Sequence, residues 1–451
     1  MSVPDPARAR EAVASLAGQA IDVVRVSYPD LIGVDRGRDI LLGHLPTACD
    51  HGLAFCRAVY HTSPQGDVVP VEGGLDAGLP DIAVRPDLDT LTPLPWEPGV
   101  AWCLGDPVDP ATGQPCPESP RHVLRRTLDA LDGTGLSAVV GPELEYFLLD
   151  EDPTAPTGWR RYGDVPGLVY TVGQRADPTG HLLRTMRHLE RLGIGITAGN
   201  REFDGGQFEI NLIHSAALHA ADRAWRFKAA IKELARAEGR LATFMAKPFN
   251  DSGGSGFHLH FSCADEGGRN AFDDPAGAHG LSATALHAIG GVLAHAPALA
   301  ALLNPTVNSY KRFGPDTLAP WLVDWGLDNR SAMLRVPPER GVGARFELRL
   351  GDATANPYLA IAGLVAAVAL GVREKSEPPA PLSGYGYDPA RSAVLPMNLP
   401  DALDALVADT ALTEVLGQEF VAAFVAYKRN EVERFRRHVT DWEFREYAYH
   451  L

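Results

Sequence analysis

Cysteine is scarce in this chain. Five cysteines occur among 451 residues, and they are odd in number, widely separated and never arranged as C-x-x-C. Proteins that depend on disulfides for stability carry paired cysteines at regular spacings, and they fold in oxidising compartments. We therefore expect reduced thiols and a cytoplasmic protein.

Runs of basic residues and long apolar segments are also missing. The 41 basic and 57 acidic side chains give a net charge of -16, which repels nucleic acid and anionic lipid, so neither a nucleic-acid nor a membrane partner is expected. The N-terminal segment lacks the apolar stretch of a signal peptide. Of the two most apolar segments, Ala288–Leu303 is interrupted by His295 and Pro297, and Tyr358–Val372 is too short for a bilayer of about 30 Å. Both are predicted to be buried helices.

The length of the chain allows more than one domain. A hydrophobic content of 45% and a charged content of 22% are those of ordinary globular proteins. Turns rich in proline and glycine fill much of the chain before Gly105, and Asp106–Pro120 is the best candidate for a linker. We predict a domain boundary there, with domains at residues 1–115 and 116–451.

The hydrophobic pattern predicts a mixed α+β protein. A helix is expected over Asp5–Ala20, followed by a hairpin whose first strand is Ile21–Tyr28 and whose turn is Pro29–Gly33. Beyond the linker, helices are predicted at Pro120–Asp132, His181–Leu192 and Ser215–Gly239, and strands at Ser137–Leu149, Gln207–Ile213, Gly256–Ser262 and Ala344–Leu350.

Four of the predicted strands carry polar side chains where core residues are expected. Residues two apart share one face of a strand, and that face normally packs into the core. The shared faces are Glu143 and Glu145; Gln207, Glu209 and Asn211; His258, His260 and Ser262; and Arg345, Glu347 and Arg349. A single such strand is equally well explained as an edge strand with a solvated side, but four together favour a common site.

The chemistry of that site follows from its residue types. Carboxylates brought together repel one another unless cations lie between them, and carboxylates with one imidazole suit Mg²⁺ or Mn²⁺ better than Zn²⁺. Arginines bind phosphate and carboxylate oxygens through two parallel hydrogen bonds. The combination predicts metal-assisted phosphoryl transfer involving an anionic substrate. No Walker motif or kinase-type glycine loop is present, so the nucleotide must be held in another way.

Six ordered motifs resemble those of the glutamine synthetases. They are the E-x-E of Glu143 and Glu145, E-F-D-G-G-Q-F-E from Glu202, K-P-F…G-S-G-F-H-L-H-F-S from Lys247, N-P-T-V-N-S-Y-K-R from Asn304, N-R-S-A-M-L-R-V-P from Asn329, and R-F-E-L-R…D-A-T-A-N-P-Y from Arg345. They cover most of residues 140–360 in the family's order. The resemblance is strongest to γ-glutamylmethylamide synthetases and related γ-glutamyl-amine ligases.

The resemblance implies a small N-terminal β-grasp domain and a larger catalytic domain whose strands form a funnel, with ATP at one mouth and glutamate at the other. It implies two or more Mg²⁺ or Mn²⁺ ions in each site. The ligands carried over are Glu145, Glu202 and Glu209 for one ion, and Glu143, His258 and Glu347 for the second. It also implies a homododecamer of two hexameric rings, with active sites between subunits.

The remaining site residues also follow from the resemblance. Those expected to contact the nucleotide are His260, Ser262, Arg330 and Arg335, and those expected to bind glutamate are Arg312, Arg349, Gly254 and Gly256. Arg330, Arg335 and Arg312 are the expected catalytic residues, with the first two binding the phosphate in transfer. The implied reaction uses ATP to convert glutamate to γ-glutamyl phosphate, which an amine then attacks.

The acceptor pocket departs from the pattern of ammonia-using members. Their flap places a glutamate just before an Ala-Pro pair, where this chain has Leu318, and Asp316 is the nearest acid. A second anion, an N-terminal aspartate, has no counterpart around Phe55–Ala58. Loss of both anions removes the attraction for ammonium and opens space, so a small primary amine or a polyamine is the predicted acceptor.

Three alternatives stay open. A true glutamine synthetase would use ammonia. A phosphotransferase like the guanidino kinases would share the arginines and the metal but need no amine pocket. A catalytically silent regulatory or structural homologue would keep the fold and lose ligands, whereas here all six ligand positions are filled.

Overall fold

The computed structural model describes residues 6–315 and 317–451, so Asp5 and Asp316 lie outside the described residues. Within them, the α-helices are α1 (Pro6–Ala17), α2 (Leu45–His51), α3 (Pro120–Asp132), α4 (His181–Arg191), α5 (Ala217–Ala237), α6 (Ala283–Leu303), α7 (Pro357–Glu374), α8 (Leu399–Ala408), α9 (Thr410–Leu416), α10 (Gln418–Arg436) and α11 (Asp441–Tyr447). The helices predicted from the sequence all form, with ends displaced by up to five residues.

The strands of the described residues are β1 (Val23–Pro29), β2 (Asp35–Leu41), β3 (Leu53–Cys56), β4 (Asp81–Pro93), β5 (Val100–Val108), β6 (Ser137–Glu151), β7 (Trp159–Arg161), β8 (Ile196–Arg201), β9 (Gln207–Leu212), β10 (Ser215–Ala216), β11 (Arg240–Thr243), β12 (Phe257–Ala264), β13 (Leu322–Val323), β14 (Trp325–Leu327), β15 (Leu334–Val336), β16 (Phe346–Leu348) and β17 (Ala393–Val394). The last predicted strand, Ala344–Leu350, is shorter than expected, because only Phe346–Leu348 pairs as β16.

A five-stranded sheet of order β2-β1-β5-β4-β3 is formed by the N-terminal part of the chain. The predicted hairpin is confirmed as the antiparallel pair β1/β2. Its turn is held by the buried Asp30, whose Oδ1 accepts from Ile32 N (3.0 Å) and Val34 N (2.9 Å) and whose Oδ2 accepts from Arg36 Nε (2.9 Å). Gly33 adopts φ 87° in this turn, a conformation that glycine takes without strain.

The larger sheet brings the four polar strands side by side. Its main path is β14-β15-β16-β12-β6-β9-β8. In the antiparallel registers, Glu143 lies opposite both His258 and Asn211, and His260 lies opposite Glu347. Because side chains of directly opposed residues project to the same side of a sheet, the four polar faces converge as predicted.

Two apolar helices pack against each other in the core behind this sheet. Among the described residues, α6 and α7 are long and apolar enough to span a membrane. Most of each helix is buried inside the protein, however, as is usual for the core helices of soluble proteins. They approach closely at Gly291 and Gly371, because a Cβ on Gly291 would lie 2.6 Å from Gly371 Cα. α6 continues through Pro297, although that residue interrupts the apolar run.

The predicted linker, Asp106–Pro120, is wrong at its first residues, because they belong to a strand. β5 continues to Val108, so Asp106 lies on a buried strand. The reason is a long-range ion-pair network centred on Arg121 of α3, which is 2% exposed. Its guanidinium donates to Asp106 (2.9 Å), Asp87 (2.8 Å) and Asp222 (2.9 Å), and Tyr358 Oη also donates to Asp222 (2.6 Å). The network ties the N-terminal sheet to α3, α5 and α7.

We expect Arg121→Met to lower the apparent free energy of unfolding in urea by about 3–5 kcal/mol, because it leaves the buried Asp106 and Asp222 and the half-buried Asp87 without their common partner. The control is Arg429→Met, which removes an exposed ion pair with Asp404 and should change stability by about 1 kcal/mol or less. Equal effects of the two substitutions would contradict the role assigned to the Arg121 network.

Candidate active site

A carboxylate, an imidazole and a second carboxylate meet where β6, β12 and β16 adjoin. His258 Nδ1 lies 2.7 Å from Glu143 Oε1 and 3.8 Å from Glu347 Oε1. One ligand atom from each of the three side chains lies within 4.8 Å of the others. These are the oxygen and nitrogen donors that Mg²⁺ and Mn²⁺ sites use, so the three residues could hold a divalent cation.

Glu347 is ionised in spite of its burial. It is 1% exposed, and its carboxylate accepts from Arg335 Nη1 (2.8 Å) and Arg349 Nη1 (2.6 Å). Burial disfavours the charged form, but the attraction of Arg349 and then of His258 lowers the pKa of Glu347 to about 2. The protein therefore supplies positive charge on this side of the site.

A second group of carboxylates lies alongside. Glu145 of β6 is directly opposite Glu209 of β9, and Glu202 follows the end of β8. Burial, and then repulsion from Glu143 and Glu145, raises the pKa of Glu209 to about 10. Burial, and then repulsion from Glu145, raises the pKa of Glu202 to about 7. Cations between these groups would relieve the repulsion.

Amide side chains donate hydrogen bonds to these carboxylates. Asn211 Nδ2 donates to Glu143 Oε2 (2.7 Å) and Glu209 Oε1 (3.3 Å), and Gln207 Nε2 donates to Glu145 Oε2 (2.9 Å). The alternation of the sequence predicted both amides on the polar face of β9, but neither was predicted to be a site residue. Asn200 Nδ2 donates to Glu202 (2.8 Å), and no sequence signal singled it out.

Two cavities meet at Glu143. The acidic cavity, bordered by Glu143, Glu145, Glu202 and Glu209, has a volume of about 330 Å³. The histidine cavity, bordered by Glu143, His260, Ser262 and Arg345, has a volume of about 360 Å³. Arg345 Nε donates to His260 Nδ1 (3.2 Å). The arrangement provides two compartments that share one carboxylate.

The predicted substrate residues divide between these spaces. Arg312, Arg349 and Gly254 border the acidic cavity, with His260 and Ser262 on the histidine cavity. Arg330 borders the acidic cavity and, together with Arg335, an open outer pocket of about 720 Å³. The structure therefore does not bring the two arginines into one compartment with His260.

The three central arginines have different surroundings. Arg312 is buried and donates to Leu350 O (3.2 Å), and burial lowers the pKa of its guanidinium. Arg335 is held by Glu347 and by Asp328 (2.7 Å). Arg330 is exposed and forms no hydrogen bond within the described part of the chain, so its guanidinium is available to an anion.

A glycine segment lies close to the carboxylates. A Cβ on Gly256 would come within 2.7 Å of His258 Nε2 and 2.9 Å of Glu145 Oε1, and one on Gly254 would lie 2.6 Å from Arg312 Cγ. Gly256 N also donates to Glu145 Oε2 (2.9 Å). Glycine is required here because backbone and functional side chains approach too closely for any other residue.

The mouth of the acidic cavity includes residues that the sequence did not identify. Tyr170 and Phe203 border it, as does Leu318, which the sequence had placed in the acceptor pocket. Burial, and then the Glu202 carboxylate, raises the pKa of Tyr170, so its hydroxyl lies within electrostatic reach of the acidic group. Tyr170 lies in an irregular loop with no motif, which is why the sequence gave no signal for it.

Comparisons with known proteins agree with this geometry. Residues 117–447 match the family model described as glutamine synthetase, catalytic domain. The chain is 34% identical to a glutamine synthetase of Halobacterium salinarum (96% of this chain and 95% of the relative). It is 36% identical to the gamma-glutamylethanolamide synthetase GlnA4 of Streptomyces coelicolor (98% and 95%). A solved GmaS/ADP complex matches with a TM-score of 0.85 at 33% identity (97% and 99%). The predicted α+β fold is confirmed.

We expect Gly256→Ala to reduce phosphate release from ATP by about 10²-fold, because the added methyl displaces His258 and Glu145. The control is Gly43→Ala, whose Cβ would meet nothing within 4 Å. Circular dichroism checks that both variants stay folded. Full activity in Gly256→Ala would show that the close packing around this glycine is not needed.

Proposed function

Because this chain belongs to the glutamine synthetase family, as its motifs predicted, and is a ligase of that type, we propose that it joins a primary amine to the γ-carboxylate of L-glutamate at the expense of ATP. One observation carries the choice of acceptor. Leu318, which occupies the place of the flap glutamate by resemblance, borders the acidic cavity and is half exposed there. The cavity wall at that place is apolar, so it offers an ammonium ion no counter-charge.

Members of the family use ATP and divalent metal ions, and the donor set here fits such ions. The residues that would hold one ion are Glu145, Glu202 and Glu209, and those for a second are Glu143, His258 and Glu347. The fit is supported by the close approach of the second set and by the mutual repulsion within the first. Bound Mg²⁺ or Mn²⁺ would neutralise phosphate charge and polarise the transferring group.

The first chemical step forms an acyl phosphate. A γ-carboxylate oxygen of glutamate attacks the γ-phosphorus of ATP, and ADP leaves with the electrons of the broken P–O bond. In this proposal Arg312, Arg349, Gly254 and Gly256 hold glutamate in the acidic cavity. His260 and Ser262 contact the nucleotide from the histidine cavity, and Arg330 with Arg335 stabilises the charge on the phosphoryl group in transfer.

The second step forms the amide. The lone pair of the amine attacks the γ-carbonyl carbon, the C–O bond to phosphate breaks, and inorganic phosphate leaves with that electron pair. The nitrogen then gives up a proton, which the departing phosphate can accept. The amine must be unprotonated when it attacks, because an ammonium ion has no lone pair.

Ammonia is the competing acceptor. The relatives described above include a plain glutamine synthetase and a γ-glutamylethanolamide synthetase at nearly equal identity. Asp316, which would have to replace the flap glutamate if ammonium were bound, lies outside the described residues. A silent homologue is disfavoured because all six proposed ligands lie at the site. A guanidino-kinase-like phosphotransferase is disfavoured because the chain belongs to a ligase family.

The proposal extends to the whole molecule. We assign residues 1–115 to an N-terminal β-grasp domain and residues 116–451 to the catalytic domain, and we place the enzyme in the cytoplasm. We further propose a homododecamer of two hexameric rings with active sites between subunits. The exposed aromatic residues Trp442 and Phe444 of α11 and Tyr449 beyond it support contacts between subunits.

A panel of acceptors tests the proposal. With glutamate, ATP and Mg²⁺, phosphate release is measured against ammonium, methylamine, ethanolamine, putrescine and spermidine. We expect kcat/KM for the best primary amine to exceed that for ammonium by at least about 10-fold, because an added alkyl group gains contact that ammonium lacks. If ammonium is the best acceptor, the enzyme is a true glutamine synthetase. Absence of ADP release when glutamate is added would favour a phosphotransferase.

The ligand assignment predicts that Glu209→Gln reduces turnover by about 10²–10³-fold and raises the Mg²⁺ concentration needed for half-maximal rate, since a neutral amide replaces an anionic ligand. The matched control is Glu151→Gln, an exposed position on the same strand as Glu143 and Glu145. Near-normal turnover in Glu209→Gln would refute the assignment.

A further inference from the structure

The mouth of the acidic cavity carries exposed apolar side chains. Tyr170, Phe203 and Leu318 are 66%, 53% and 49% exposed, and all three border the cavity. They come from three separate segments, the 163–176 loop, the turn after β8 and the 317–320 segment. We call these three side chains the apolar rim. Large apolar side chains grouped at a cavity mouth indicate contact with an apolar group of a ligand.

The rim is built at a cost in backbone strain. Seven residues other than glycine have positive φ in the ranges 6–315 and 317–451, and two of them, Tyr170 (φ 56°) and Leu318 (φ 57°), belong to the rim. Bulky residues avoid this conformation, and it persists where surrounding contacts enforce it, often at ligand sites. Surrounding contacts must therefore hold Tyr170 and Leu318 in a backbone conformation that these residue types disfavour.

Buried contacts hold the rim loop in place. Arg201, which is buried, donates from Nη1 to Ala176 O (2.8 Å) and from Nη2 to Gly163 O (2.8 Å), so it ties both ends of the loop together. Tyr170 N donates to Arg201 O (3.0 Å), and Gly167 N donates to Phe203 O (2.9 Å). These bonds tie the loop that carries Tyr170 to the segment that carries Phe203, so this part of the rim is preformed.

The polarity of the cavity changes from floor to mouth. Its floor is formed by Glu145, Glu202 and Glu209, whereas its mouth carries the apolar rim together with Thr317 and Arg330. Asp204 also borders the cavity, but its Oδ2 accepts from Gly253 N (2.5 Å), which holds it at the glycine segment. A ligand with a polar amine head and an apolar tail matches this gradient, whereas a second cationic group at the far end of the ligand would lie at the apolar rim.

We infer that the acceptor is a primary alkylamine or arylalkylamine whose apolar substituent packs against Tyr170, Phe203 and Leu318. This inference rests on the proposed function and narrows its substrate class. The reaction is the one given above: the amine nitrogen forms the bond to the γ-carbonyl carbon, phosphate leaves, and a proton is released. The product is an N-alkylated γ-glutamyl amide that carries the apolar group.

Matched acceptors test the inference. Propylamine is compared with ethanolamine and pentylamine with putrescine, since each pair has the same number of heavy atoms, and rates are expressed per concentration of unprotonated amine. We expect kcat/KM to rise about four-fold with each methylene from methylamine to butylamine. We also expect each alkylamine to exceed its polar partner by at least about 10-fold.

Rim variants locate the effect. Phe203→Ala and Leu318→Ala should each reduce kcat/KM for butylamine by about 10-fold and leave that for methylamine within about three-fold, since methylamine is too short to reach the rim. The matched control is Val172→Ala, which lies on the rim loop, is 79% exposed and does not border the cavity. It should leave both values unchanged.

The outcomes separate this inference from the proposed function. If ammonium is the best acceptor, the proposed function fails. A second outcome is that amines are preferred over ammonium but kcat/KM for ethanolamine or putrescine equals or exceeds that for its alkyl partner. The proposed function then stands, and the inference that the acceptor carries an apolar substituent is refuted. If Phe203→Ala or Leu318→Ala changes the size of the assembly in gel filtration, the rim is a subunit contact and the inference is overturned.

Discussion

Repulsion among buried carboxylates is the constraint on which the site depends. Glu143, Glu145 and Glu209 lie together on β6 and β9, and Glu202 joins them from the end of β8. A cluster of this kind disfavours folding unless positive charge or protons offset it. Here the strands hold the carboxylates in place through paired registers. The amide of Asn211 bridges Glu143 and Glu209, and the amide of Gln207 donates to Glu145. The sheet and its core thus maintain a charge arrangement that could not form in an isolated segment.

The two halves of the site meet this constraint differently. Beside Glu347, the positive charges of Arg335 and Arg349 come from the protein itself, and that carboxylate keeps a low pKa. Beside Glu209, the polar partner is an amide, and burial with neighbouring charges raises the pKa of the carboxylate to about 10. The second half therefore depends more strongly on bound cations than the first.

The sequence predicted the parts of this site that depend on local geometry. Alternation on a strand places Glu143 with Glu145 and His258 with His260, and both faces project into the site. Long-range contacts were not accessible in the same way. Asp106 looked like part of a linker because no local pattern shows that it pairs with Arg121, whose guanidinium also binds the distant Asp222. The positive φ of Tyr170 and the separation of Arg330 from His260 are likewise properties of the folded chain, since neighbouring segments determine them.

Binding of Mn²⁺ to the purified protein tests the central claim most directly, because it measures the cation requirement without relying on catalysis. Electron paramagnetic resonance counts free Mn²⁺ as the protein is titrated. Two saturable sites per chain are expected, one for each half of the carboxylate cluster. Saturation at one ion per chain, or no saturable binding, would contradict the account.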